Sequence, residues 1–112
     1  MEKPLKGKIA LVTGSARGIG RAIAEDLAEW GADQVILDMN QEACEKTAAE
    51  IAGKYGVRAI AVACNITKKS DVEAAFAKIQ KEYGTLHFLV NNAGVLKDNL
   101  LLRMKEEEWD MV

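Results

Sequence analysis

Short apolar runs alternate along this chain with longer stretches in which apolar residues recur every three or four positions. The short runs are mostly continuous and rich in Ile, Val, Leu and Ala, a pattern typical of strands that are covered on both faces. The longer stretches have the spacing of amphipathic helices. We therefore predict four strands, at residues 8–12, 34–37, 58–63 and 86–90.

Glycines mark the ends of the helices that are predicted between these strands. The first helix follows the apolar positions from Ile19 to Trp30 and ends at Gly31. Glycine is common at this position because it adopts the left-handed conformation that often follows a helix. The second helix, residues 41–55, and the third, which ends at Tyr83, are each followed by a glycine in the same way.

Several conspicuous side chains near these helices have an ordinary structural interpretation. Ser70 and Glu73 match a capping box, which places the start of the third helix at Ser70. Trp30 and Phe76 lie at helical spacing from other apolar residues and are predicted to pack in the core. His87, the single histidine, opens the fourth predicted strand. We expect it to be structural or solvated and not catalytic.

The alternation of strands and helices predicts an α/β fold, a doubly wound parallel sheet of the Rossmann type. The order of the strands in the sheet cannot be read from the pattern. After the fourth predicted strand, only residues 105–112 begin a further helix. A sheet of four strands would leave one flank of the strand at 86–90 uncovered. We therefore expect residues 1–112 to be the N-terminal part of a larger domain.

The composition is that of an ordinary globular domain and narrows the range of partners. The chain has 112 residues, 49% of them hydrophobic, and a net charge of −2. This charge gives no electrostatic basis for binding nucleic acid or an anionic membrane, and no apolar run approaches the roughly 18 residues of a membrane span. Cys44 and Cys64 are 20 positions apart with no histidine at ligand spacing. This favours reduced thiols in a cytoplasmic protein and no metal site.

The segment Thr13-Gly14-Ser15-Ala16-Arg17-Gly18-Ile19-Gly20 joins the first predicted strand to the first predicted helix. Glycines let the backbone turn sharply and approach a ligand closely, and a helix N-terminus offers unpaired N–H groups to an anion. Asp38 ends the second strand, 18 positions after Gly20. A carboxylate at about this interval binds a ribose hydroxyl in dinucleotide sites. The sequence thus predicts a dinucleotide site.

A third motif, Asn91-Asn92-Ala93-Gly94, follows the fourth predicted strand. With the glycine segment and Asp38, it makes the chain resemble the short-chain dehydrogenase/reductase family over about residues 6–112. The loop from Gly94 to Met104 and the triplet Glu107-Glu108-Trp109 are most similar to 3-oxoacyl-acyl-carrier-protein reductases. The resemblance implies an NAD(P)-dependent oxidoreductase that interconverts a carbonyl and an alcohol by hydride transfer, with this chain as its cofactor-binding half.

The resemblance also implies roles for individual residues. Gly14 is expected to make a tight turn, and Gly18 and Gly20 to let the diphosphate and the helix come close. Ser15 and Arg17 are expected to touch the ribose or the phosphates. The other positions expected to contact the cofactor or shape its pocket are Ile19, Asp38, Met39, Asn65, Ile66, Asn91, Asn92, Ala93 and Gly94.

Within this set, the residues after the third and fourth strands have separate tasks. Asn65 and Ile66 are expected to flank the adenine. The side-chain amides of Asn91 and Asn92 are expected to tie strand ends together. The backbone at Ala93-Gly94 is expected to approach the ribose on the nicotinamide side.

Asp38 and Arg17 favour different cofactors. The Asp38 carboxylate can accept hydrogen bonds from the 2′- and 3′-hydroxyls of a ribose, and its charge repels a 2′-phosphate. Arg17 has the opposite effect, because a guanidinium pairs well with a phosphate. Typical acyl-carrier-protein reductases use NADPH and lack an acid at this strand end, so Asp38 departs from their pattern. We expect NAD, with NADP as the alternative.

The family's catalytic Tyr-x-x-x-Lys pair does not occur, because Tyr55 is followed by Ala59 and Tyr83 by His87. Catalytic residues are therefore expected beyond residue 112, and this chain alone is expected to be inactive. The resemblance implies a small-molecule or acyl-carrier-linked carbonyl substrate and a homo-oligomer, commonly a tetramer. Two alternatives stay open: a non-catalytic dinucleotide-sensing module, and a methyltransferase, which also places a glycine loop after strand one and an acid after strand two.

Overall fold

The computed structural model describes residues 3–92, which form strands and helices in strict alternation. The strands are β1 (Ile9–Thr13), β2 (Asp33–Asp38), β3 (Ala59–Ala63) and β4 (Phe88–Val90). The helices are α1 (Gly18–Glu29), α2 (Gln41–Tyr55) and α3 (Lys69–Tyr83). The further helix predicted at residues 105–112 lies outside the described residues.

The four strands form one parallel sheet in the order β3-β2-β1-β4. Leu11, in the middle of β1, pairs with Val35 of β2 on one side and with Leu89 of β4 on the other. The predicted parallel sheet is confirmed, and the pairing supplies the order that the pattern could not. The chain runs outward from β1 to β3 and then crosses to the other side of β1. This reversal is a topological switch point, where open α/β sheets bind their ligands.

Helices cover both faces of the sheet and create two hydrophobic cores. On one face, Leu11 and Val35 pack with Phe76 of α3. On the other face, Val12 and Ile36 pack with residues of α1 and α2. Neighbouring residues of a strand point to opposite faces, so each strand contributes to both cores. The doubly wound arrangement expected from the sequence is confirmed.

Trp30 is an exception to the expected packing. Phe76 is buried as predicted, but 55% of Trp30 is exposed to solvent. Trp30 is the C-cap of α1, and its carbonyl accepts a hydrogen bond from the Leu5 backbone N–H at 2.8 Å. The helix ends at Glu29, so helical spacing no longer fixes the direction of the Trp30 side chain. The predicted burial of Trp30 was wrong.

The helix ends agree with the sequence except at the start of α3. Gly56 and Gly84 adopt left-handed conformations, with φ of 70° and 76°, after α2 and α3. However, α3 begins at Lys69 and has no side-chain cap. Ser70 therefore lies within the first turn, and the predicted capping box was wrong. An acid in that turn, Asp71, instead accepts a hydrogen bond from the Asn65 backbone N–H at 2.9 Å.

His87 joins the start of β4 to the start of β1. Its Nδ1 accepts a hydrogen bond from the Ile9 backbone N–H at 2.9 Å, while its own backbone N–H donates to the Ile9 carbonyl at 2.9 Å. The imidazole thus supplies an acceptor to the first residue of β1. This is the structural role expected from the sequence.

Candidate nucleotide-binding site

An open pocket of about 430 Å³ lies at the carboxyl ends of the parallel strands. Its walls come from the loops that follow β1, β2, β3 and β4. The residues that line it are Gly14, Arg17, Leu37, Asp38, Met39, Cys64, Asn65, Ile66, Thr67 and Asn92. Residues from four separate positions in the sequence therefore meet in one cavity, and seven of them were among the predicted site residues.

The glycine loop, which we define as residues 14–20, uses its glycines in two ways. Gly14 and Gly18 adopt left-handed conformations with φ of 66° and 64°, which other residues rarely adopt. Gly20 lies in the first turn of α1, where a Cβ atom would overlap the Gly14 carbonyl oxygen and crowd the Asn92 side-chain amide. The loop thus turns tightly, and its helix begins directly against the end of β1.

Ser15 has a different position from the one expected. It is fully buried, and its hydroxyl accepts a hydrogen bond from the Leu37 backbone N–H at 3.0 Å. Its own backbone N–H donates to the Leu37 carbonyl at 3.1 Å. Ser15 therefore continues the pairing with β2 beyond the end of β1. Its hydroxyl thus fixes the glycine loop to β2, and Ser15 is not among the residues that line the pocket.

Asp38 lines the pocket and also supports the glycine loop. Its Oδ2 accepts a hydrogen bond from the Ala16 backbone N–H at 3.1 Å, and its Oδ1 accepts one from the Met39 backbone N–H at 2.9 Å. An ionised carboxylate has about four acceptor positions, so acceptor capacity remains for the hydroxyls of a bound sugar. The sequence predicted the sugar contact alone, because the contact with the loop joins residues 22 positions apart.

Three exposed side chains surround the start of α1 and the end of β2. Arg17 is the N-cap of α1 and lines the pocket, and its guanidinium forms no ion pair with any other residue between 3 and 92. Ile19 and Met39 are 75% and 68% exposed, and Met39 also lines the pocket. A cation without an ion pair among the described residues, together with exposed apolar groups beside a pocket, is suited to a ligand that has both phosphates and flat apolar rings.

The loop after β3 is held in a defined conformation. The Asn65 side-chain oxygen accepts hydrogen bonds from the Thr67 backbone N–H at 3.0 Å and from its hydroxyl at 2.6 Å. This local turn places Ile66, which is 9% exposed, in the pocket wall. Asn65 thus shapes the loop through its side chain, and both residues line the pocket.

The two asparagines after β4 join that strand to the end of β1. The Asn92 backbone N–H donates to the Thr13 hydroxyl at 2.9 Å, and its side-chain amide lies 3.5 Å from the Gly14 carbonyl oxygen. The Asn91 side-chain oxygen lies 3.4 Å from the same Thr13 hydroxyl. Ala93 and Gly94, the other half of this motif, lie outside the described residues.

Sequence reasoning did not select Thr13 or three residues of the pocket wall, namely Leu37, Cys64 and Thr67. Each of the three stands next to a residue that was selected. Once the sheet is known to be parallel, every residue that follows a strand at this edge becomes a candidate. Thr13 gave a weaker signal, since a threonine at the end of a strand is ordinary.

The thiols near the site are protonated at neutral pH. Burial raises the pKa of Cys64, in the pocket wall, to about 11. Burial, and then the nearby charge of Asp38, raise the pKa of Cys44 as well. Within the described part of the chain, His, Cys, Asp and Glu side chains form no cluster of three that could hold a metal ion, and no helix combines the length and apolar character needed to cross a membrane.

Comparison with known proteins relates this geometry to one family. The family model described as short chain dehydrogenase matches residues 8–112. The 3-oxoacyl-acyl-carrier-protein reductase FabG of Aquifex aeolicus is 46% identical over 112 residues, which cover all of this chain and 45% of that protein. The FabG of Escherichia coli is 46% identical over 105 residues, or 94% of this chain and 41% of that protein. The chain thus spans less than half the length of these curated relatives.

Solved structures agree with this assignment. L-sorbose reductase from Gluconobacter frateurii, complexed with NADPH and L-sorbose, superposes with a TM-score of 0.80 at 36% identity, covering 85% of this chain and 36% of that one. NAD⁺-bound xylitol dehydrogenase superposes with a TM-score of 0.77 at 40% identity, covering 82% of this chain and 35% of that one. Both the sequence and the fold of this chain are therefore similar to those of known dehydrogenases and reductases.

Proposed function

Because the chain belongs to the short chain dehydrogenase family, we propose that it forms the cofactor-binding half of an NAD(P)-dependent oxidoreductase that interconverts a carbonyl and an alcohol. One observation carries the proposal: the glycine loop, Asp38 and the Asn65–Ile66 turn meet around one pocket at the carboxyl ends of the parallel strands. The bound nicotinamide would supply or accept the hydride.

The pocket suits the adenosine diphosphate part of such a cofactor. Its volume of about 430 Å³ lies within the usual range of about 300–1,000 Å³ for ligand pockets. We place the adenine against Ile66, its ribose at Asp38, and the diphosphate at the N-terminus of α1 beside Arg17. Backbone N–H groups and the helix dipole favour an anion at that position. The backbone at Ala93-Gly94, outside the described residues, stays predicted to approach the ribose on the nicotinamide side.

We propose NAD as the preferred cofactor because of the charge at Asp38. The carboxylate is fixed by two backbone N–H groups, so it cannot easily turn away from a 2′-phosphate. Two like charges about 4 Å apart repel by roughly 4 kcal/mol at an effective dielectric constant of about 20. Arg17 is exposed at a helix terminus, where solvent and salt screen its attraction for a phosphate.

The substrate proposal rests on the relatives. The FabG proteins are named for reducing 3-oxoacyl groups on acyl carrier protein, and we propose a carbonyl of this acyl-carrier-linked kind, in a cytoplasmic homo-oligomer. We assign proton transfer to residues outside these 112, since neither tyrosine is followed by lysine four positions later. The family match leaves the methyltransferase alternative without support.

Titration of the intact protein with NADH and NADPH, followed by nucleotide fluorescence, tests the proposal. We expect NADH to bind more tightly. Asp38→Asn keeps an oxygen acceptor for the Ala16 N–H but removes the charge, so the ratio of the two affinities should move about tenfold toward NADPH, or about 1.4 kcal/mol. Asp26→Asn makes the same change of charge on the exposed side of α1 and should leave the ratio unchanged.

The possible outcomes separate the parts of the proposal. If the intact protein binds neither nucleotide, the dinucleotide site is refuted. If both bind but Asp38→Asn and Asp26→Asn give the same ratio, Asp38 does not set the preference.

A further inference from the structure

Thr47 is one of the four buried residues of α2, with Cys44, Ala48 and Ile51. It is 2% exposed, and its hydroxyl donates a hydrogen bond to the Ala16 carbonyl oxygen at 2.6 Å. The same Ala16 donates its backbone N–H to Asp38 at 3.1 Å. Both polar backbone groups of one glycine-loop residue are therefore held, from two separate elements of the fold. No motif in the sequence singled out Thr47.

Arg21 contacts the other side of the Thr47 hydroxyl and is consistent with donation by that hydroxyl to the Ala16 carbonyl. An Arg21 guanidinium nitrogen lies 3.5 Å from the Thr47 hydroxyl oxygen, and a guanidinium can only donate hydrogen bonds. The hydroxyl therefore accepts on that side, and its proton is left for the Ala16 carbonyl. Arg21 is itself held by ion pairs with Glu25 and Glu50, each at 2.9 Å.

The Ala16 carbonyl and the Arg17 N–H belong to one peptide group. In a trans peptide these two bonds point in opposite directions, and no described peptide bond is cis. A carbonyl that is fixed toward Thr47 therefore directs the Arg17 N–H away from α2. Arg17 is the N-cap of α1 and lines the pocket, so this N–H is the first that the helix N-terminus can offer to an anion.

We propose that Thr47 is a positioning residue for the diphosphate of the dinucleotide, which it serves by fixing the Ala16–Arg17 peptide group before the ligand binds. This proposal rests on the proposed function of the pocket. Without the hydroxyl, the peptide group can rotate in the free protein, and binding must then restore its orientation at a cost in affinity. Ligands without phosphate gain nothing from that orientation.

The test compares Thr47→Val with Thr47→Ser in the intact protein, with NADH, ADP-ribose and adenosine as ligands. Valine keeps nearly the same volume but removes the hydroxyl, whereas serine keeps it. We expect Thr47→Val to weaken NADH and ADP-ribose by about fivefold, the equivalent of one hydrogen bond, to leave adenosine unchanged, and to be rescued in Thr47→Ser. Ile51→Val, a buried change on the same helix, serves as the control and should leave all three affinities unchanged.

Each outcome either supports or overturns this role. If Thr47→Val lowers stability while the affinities stay those of the wild type, or if adenosine weakens by the same factor, Thr47 only stabilises the fold. If Thr47→Val does not fold, the proposal is tested by NMR spectroscopy of the wild-type protein. There, the Arg17 amide resonance should shift with ADP-ribose and not with adenosine, and an unmoved resonance overturns the proposal. Failure of the wild type to bind any of the ligands instead refutes the pocket's function.

Discussion

The glycines of the glycine loop form one motif in the sequence, but each is required for a different physical reason. Gly18 needs its left-handed φ of 64°, and a Cβ atom there would meet nothing within 4 Å. Gly20 has ordinary helical geometry, but a Cβ atom there would overlap backbone of the loop. The first requirement concerns the conformation of one residue, and the second concerns the distance between α1 and β1.

This difference predicts opposite effects for two glycine-to-alanine changes in helices. Gly20→Ala should lower the free energy of unfolding by more than about 2 kcal/mol, because a methyl group is forced against backbone atoms that cannot move aside. Gly53→Ala, in α2 where a Cβ atom meets nothing within 4 Å, should raise it by about 0.5–1 kcal/mol through helix propensity. Urea denaturation measures both. Equal effects would show that α1 does not approach the loop as closely as described.

Site residues could be predicted from the sequence where they belong to a motif at the end of a predicted strand. Gly14 and Gly18 follow β1, and Asp38 is the last residue of β2. The hydrogen bonds of the buried Ser15 and Thr47 hydroxyls could not be predicted, because their partners lie 22 and 31 positions away. A buried hydroxyl in an apolar stretch must have a hydrogen-bond partner, but which partner depends on the packing.

At the scale of elements, every predicted strand and helix within residues 3–92 is present, with ends that differ by a few positions. Continuous apolar runs and terminal glycines are local signals, so they can be read directly. Two other features could be learned only from the structure: the strand order, which depends on pairing between distant segments, and the start of α3. At that start, the sequence predicted a capping box at Ser70, whereas the structure has a hydrogen bond from the preceding loop to Asp71.

A polar cluster joins α1 to α2. Glu25 of α1 accepts hydrogen bonds from the Tyr55 hydroxyl of α2 at 2.7 Å and from Arg21 at 2.9 Å. The Tyr55 hydrogen bond, and then that from Arg21, lower the pKa of Glu25 from its ordinary value of 4.5. Such a carboxylate stabilises the folded state above its unfolded pKa, and the contribution is lost as the pH falls through its folded pKa.

Glu25→Gln should therefore destabilise the protein at neutral pH but not in acid. At pH 7 we expect the free energy of unfolding to fall by about 0.5–1 kcal/mol, as for other partly exposed ion pairs. The difference from wild type should shrink once the pH is below 4.5, the ordinary pKa of the group, and disappear below its folded pKa. Denaturation at a series of pH values measures this. Glu73→Gln, an exposed acid on α3, is the control, and an equal pH dependence in the two variants would contradict the assignment.

At the scale of the whole molecule, one sheet is shared by two hydrophobic cores, and each core contains one cysteine. Cys64 packs in the core under α3, and Cys44 packs in the core under α1 and α2. Every strand places alternate residues in the two cores, so loss of one core removes support from the other. The described region should therefore unfold as one cooperative unit.

Thiol labelling followed by mass-spectrometric peptide mapping tests that cooperativity. Both thiols are buried and have raised pKa values, so in the intact native protein they should react only when the fold opens, and at matching rates. NADH at about 100 times its Kd should slow both by about 100-fold, because ligand bound to the native state reduces the unfolded population by that factor. Cys44→Ala and Cys64→Ala, each with the other thiol retained, show that the probes do not affect each other. Faster labelling of one cysteine alone would mean that its core opens separately, and slowing by NADH of Cys64 alone would mean that the ligand only shields the pocket wall.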